Sequence, residues 1–271
     1  MHVRCFVGLR TVCVLAGLAL LGAPVLPTAI ADATDSIKNW KDLMPEAEFG
    51  KLVAESTKLF QEYTRSPSSL NQNAKRLQNE AYSLAVISEV AYQALDGESK
   101  LRAAGLQRTA IQLANAAKQK NLDEAKKLTA EVADFKKSTP PADAKSMSLR
   151  EAVPIHNLME DVQTQYKKLQ EWQRMASTAY NQKVKPEEAT LAGYRMAAYS
   201  VAITAHVPEK DQLKEKKEQD WLGPTEDMRK ATLDIAAAAK AKKHADLKSA
   251  IKRMDSACTK CHDNFRIETD K

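Results

Sequence analysis

Apolar residues recur at three-, four- and seven-residue intervals along this chain, and little interrupts the helices that such spacing implies. Phe49, Leu52, Val53, Leu59, Phe60 and Tyr63 share one face of a helix, and Ile155, Leu158, Val162, Tyr166, Leu169 and Trp172 share another. Only eight glycines occur in 271 residues, while Ala, Lys and Glu are abundant, a composition that favours helix. No run alternates like a strand between turn residues. The expected fold class is all-α.

The chain also resembles itself. Tyr82-Ser83-Leu84-Ala85-Val86-Ile87 matches Tyr199-Ser200-Val201-Ala202-Ile203-Thr204 at an offset of 117. At the same offset Phe49-Gly50-Lys51-Leu52 lies over Tyr166-Lys167-Lys168-Leu169. The stretch from Leu106 through Ala116-Ala117-Lys118-Gln119-Lys120 matches that from Met228 through Ala238-Ala239-Lys240-Ala241-Lys242, offset by 122. Matches in one order at nearly one offset read as a duplicated unit. Helices are expected near 46–64, 71–95, 99–119 and 122–137, and again near 155–181, 187–207, 225–242 and 244–264. Gly223-Pro224-Thr225 reads as a helix start, where proline is tolerated. Thr139-Pro140-Pro141-Ala142-Asp143 reads as a break between the units. Short connections favour antiparallel neighbours. The expectation is two tandem antiparallel four-helix bundles, over 32–138 and 154–271, joined by a linker over 139–153. A fragment starting near Ser148 should then fold alone.

Residues 1–31 have a basic start (Arg4, Arg10), an apolar run over 12–21 and small residues at Ala29 and Ala31. That is the layout of a cleaved secretory signal; the apolar run is shorter than the roughly 20 residues that span a bilayer. Cleavage after Ala31 removes Cys5 and Cys13 and, with the two arginines, lowers the net charge from +6 to +4. So small a balance among many charges of both signs is a solvated surface and gives no sign of nucleic-acid binding. The expected product is exported, periplasmic in a bacterial cell, with no membrane span.

Cys258-Thr259-Lys260-Cys261-His262 carries the chemistry. Two thiols a helical turn apart can each add to a vinyl group of haem, and the histidine after the second can reach the iron. A thioredoxin-like dithiol wants its pair at a helix start after a strand, whereas this pair ends the last helix. A structural zinc needs four ligands, which here must include histidines such as His156 or His206. A disulfide leaves His262 unexplained. Covalent haem c, one per chain, is the expected cofactor.

A C-terminal Cys-x-x-Cys-His followed by Phe265-Arg266 and closing a four-helix bundle resembles the class II cytochromes c, the cytochrome c′ group, over roughly residues 150–268. The resemblance implies covalent attachment at Cys258 and Cys261, His262 as proximal iron ligand, and Phe265 and Arg266 beside the haem. It also implies that the first helix of the bundle faces the distal side. A methionine there suits electron transfer; an apolar residue leaves the iron open to NO or CO. Met159 lies nearer than His156 to the centre of the apolar stripe at Leu158 and Val162. Met159, an open site near Leu158 and His156 all stand as distal candidates; His206 and His244 read as surface or helix-end residues. The first unit sets Lys136, Thr139 and Pro140 opposite Cys258, Cys261 and His262, and has no Cys or His between Asp32 and Ile155. It cannot hold a c-type haem, and docking, dimerisation, shielding and structural support are all open to it. The expected function is electron transfer with redox protein partners and no enzymatic turnover. A gas-binding cytochrome c′-like protein is the alternative, a scaffold with a structural haem a third reading, and a homodimer is compatible with each.

Overall fold

The computed structural model describes residues 37, 39–137, 140, 144–176, 185–213 and 215–265. Among these, every regular element is a helix: α1 (Trp40–Leu43), α2 (Glu46–Tyr63), α3 (Pro67–Ala94), α4 (Gly97–Lys118), α5 (Leu122–Ala133), α6 (Leu149–Ala152), α7 (Ile155–Ala176), α8 (Pro186–Ala205), α9 (Lys210–Leu213), α10 (Glu218–Lys240) and α11 (His244–Phe265). Residues 1–36, with the expected signal segment, lie outside the described residues.

The long helices form two rings of neighbours. α2, α3, α4 and α5 pack in a closed cycle, as do α7, α8, α10 and α11. Each half opens in the same way: a four-residue helix, a buried residue (Met44 or Val153), a proline, then a long helix. The turns α4–α5 and α10–α11 also match. Lys120 and Lys242 take left-handed backbone at φ 55° and 56°. Asn121 N–H donates to Ala116 O and Lys243 N–H to Ala238 O, both at 2.9 Å. Each is a Schellman closure, which satisfies carbonyls the helix end leaves free.

α3 and α8 are the central helices. Residues 80–91 are all buried, and so are 189–203 apart from Tyr194, as expected of helices apolar on every side. α3 packs on both α7 and α8, and one hydrophobic cluster runs through the two rings. Gly193 allows the close approach of α8 to α10: a Cβ there would stand 2.7 Å from Ala236 N and 2.8 Å from Thr232 O.

A polar cluster lies where the rings meet. Arg195 donates from Nη1 to Glu80 (2.7 Å) and Ser83 Oγ (2.8 Å), and from Nη2 to Glu55 (3.1 Å). Ser56 donates to Glu80 at 2.7 Å, and the Tyr199 hydroxyl bridges Ser83 and Asp161. Burial opposes the charge on Arg195, but Glu80, Tyr199, Glu55 and Asp161 outweigh it and hold the guanidinium well above the ordinary arginine value.

Helix boundaries depart from expectation in three places, one of them the end of α5 at Ala133 and not 137, where Asp134 is the C-cap. α3 starts at Pro67, not 71, because the Ser66 hydroxyl accepts from Ser69 N–H at 3.1 Å and proline suits the first turn. α10 starts at Glu218, not 225, with Pro224 inside it; Lys217 N–H is capped by Asp220 at 2.8 Å. The described part of the expected linker is held by the fold. Met147 exchanges hydrogen bonds with Gln107 at 2.7 and 2.9 Å, Arg108 donates to Lys145 O at 3.0 Å, and Leu149, Ala152 and Val153 are buried.

Candidate functional site

Cys258, Cys261 and His262 lie on the last turns of α11. The helix ring brings this end of α11 against α7 and α10, and between them opens a cavity of about 580 Å³. Cys258, Cys261 and His262 form one wall; Met159, Val162 and Tyr166 of α7 another; Ile203, Pro224 and Met228 complete it from α8 and α10. The lining surface is mostly apolar.

Both cysteines are free thiols, Cys258 half-buried and Cys261 buried. Burial pushes each up to about 11, helped at Cys258 by Asp255 and Cys261. That is the reverse of the lowered value a redox-active dithiol needs. Among the described residues no three His, Cys, Asp or Glu side chains converge as a metal cluster, so a zinc ion would lack the four ligands of a structural site.

Met159, half-buried, lines the cavity. His156 stands at its mouth, exposed, with Nε2 3.1 Å from Glu160 Oε1. Leu158 does not line the cavity; it is buried in the core at 1 % exposure. The distal candidates that face the cavity are thus Met159 and His156. Phe265 is half-buried and packs edge-to-face on Trp221, ring centroids 5.2 Å apart, instead of lining the cavity. Arg266 lies outside the described residues. His206 ends α8, its ring nitrogens 2.7 Å from Ala202 O and 2.9 Å from Val153 O, and His244 opens α11.

Sequence reasoning missed one pair. The Tyr166 hydroxyl donates to Asp255, which lies one turn before Cys258, and accepts from Gln170 Nε2 at 2.7 Å. Burial, then the bond to Asp255, pushes the phenol up to about 12, so it stays a donor. The apolar period gave Tyr166 its face, but no local signal marks a partner 89 residues away.

No family profile, no characterised protein and no solved structure matches this chain. No helix among the described residues is long and apolar enough to cross a membrane.

Proposed function

We propose that this chain is an exported c-type cytochrome, similar to the class II group, that passes electrons between redox protein partners. One observation carries the reading: two free thiols one helical turn apart and the adjacent imidazole all border a mostly apolar cavity of about 580 Å³, within the usual range for a cofactor. Cys258 and Cys261 would hold haem c covalently and His262 would ligate its iron. The bound group supplies a one-electron iron couple.

The chain's own residues do the rest. Val162, Ile203 and Met228 present apolar surface and exclude water, which raises the local weight of every charge. Tyr166 and Asp255 tie α7 to α11 beside Cys258 and fix the width of the cavity. Met159 offers a thioether from the opposite wall, a ligand that favours ferrous iron.

The test is CO binding by the ferrous protein, compared with Met159→Ala and His156→Ala. Electron transfer through a Met159-ligated iron predicts a low-spin wild type that binds CO slowly. Met159→Ala should bind it rapidly and have a lower potential, while His156→Ala, altered only at the mouth, should behave as wild type. A wild type already high-spin and CO-reactive would remove Met159 as a ligand and favour NO or CO binding as the function.

A further inference from the structure

The internal repeat relates the cysteine cleft to a place in the other half. At the offset of 122, Pro224, Ala257 and Cys258 correspond to Arg102, Phe135 and Lys136; at 117, Tyr166 corresponds to Phe49. Those four N-terminal residues, with Gly50 and Lys51, border a second cavity of about 510 Å³. The duplicated position is still a cavity, but its chemistry is changed.

The thiol position is now a cation. Lys136 has no carboxylate within ion-pair distance among the described residues, although Lys137 beside it pairs with Asp134 at 2.9 Å. Its ammonium stands 3.2 Å from where a Cβ on Gly50 would be, so it lies over the backbone of α2 at the cavity. Arg102 pairs with Glu98 through Nη2 at 2.8 Å, yet its buried Nε has no acceptor. Lys51 adds a third cation, shared with Glu48 at 3.3 Å and Glu187 at 3.5 Å. The lining carboxylate, Glu46, is engaged by the Ser99 hydroxyl at 2.6 Å. Beside the charges, Phe49 and Phe135 meet edge-to-face, centroids 5.9 Å apart, and the Lys136 ammonium stands over the Phe135 ring, 5.9 Å from its centroid.

We infer that this cavity binds a small organic carboxylate with an apolar body, its carboxylate between Lys136 and Arg102 and its body against Phe49 and Phe135. Charge-assisted bonds orient such a ligand, and the apolar wall separates it from a bare anion. The inference does not depend on what the cysteine cleft holds.

Calorimetric titration of the full chain with sodium benzoate should show saturable one-site binding. Benzyl alcohol and inorganic phosphate should each bind at least about tenfold more weakly. Lys136→Met should weaken benzoate by about tenfold or more, and Lys137→Met should leave it unchanged. Gly50→Ala distinguishes a lost site from a lost fold: its Cβ displaces the Lys136 ammonium and weakens benzoate, while replacing a mid-helix glycine raises the melting temperature. The inference is overturned by the absence of saturable benzoate binding, by equal binding of benzyl alcohol or phosphate, or by equal losses in the two lysine variants.

Discussion

Asp161 lies between Glu160 and Val162, both of which face the cysteine cleft, yet its own carboxylate accepts from Tyr199 in the cluster where the rings meet. Burial, then the nearby Glu80, raises it from 3.8 to about 6. The folded chain therefore keeps a proton that the unfolded chain releases between about pH 4 and 6, so stability from this group falls as pH rises through that window. Urea denaturation at several pH values should show Asp161→Asn gaining on the wild type from pH 4 to pH 7; parallel curves for the two proteins would contradict the assignment. Arg195→Met leaves Glu80 buried beside Ser56 without its cation, a loss of about 3–5 kcal/mol of unfolding free energy, measurable in the same experiment.

At the scale of the helices, Gly193 and Gly50 differ in what a side chain would meet. At Gly193 a Cβ strikes the backbone of α10, which cannot rotate away. Gly193→Ala should cost about 1–3 kcal/mol despite alanine's better helix propensity, and thermal melts would register it. The sequence carried much of this level. Apolar spacing and scarce glycine marked the eight long helices, and the segments paired at the offset of 122 end on Lys120 and Lys242, which close matching turns in the structure. Local punctuation misled where two signals compete. Pro224 reads as a start because proline usually opens a helix, but the cap lies at Lys217 and Asp220. The place of Cys258, Cys261 and His262 on the last helix was legible from the apolar spacing around them, and the place of Met159 on the cavity side of α7 nearly so, because a helix face follows from residue spacing. Tyr166–Asp255 and Arg195–Glu80 were not, because pairing across helices depends on packing that one-dimensional periodicity does not encode.

For the whole molecule, the join between the halves decides how far each is independent. The Ser148 fragment, expected from the sequence to fold alone, would lose Glu80, Ser83 and Glu55 from around Arg195 and expose the face that α3 covers. It should melt well below the full chain, and a fragment as stable as the full chain would show that the join contributes little. Haem content bears on the larger question of what the chain is for. The only Cys and His residues after Ile37 that lie within one motif are Cys258, Cys261 and His262. The most direct measurement is therefore intact mass of the protein expressed with a haem-maturation system, paired with haem staining on a denaturing gel. The expected result is the mature polypeptide plus one haem, lost in a Cys258→Ala, Cys261→Ala double variant; a mass with no haem, or with two, would contradict the proposed function.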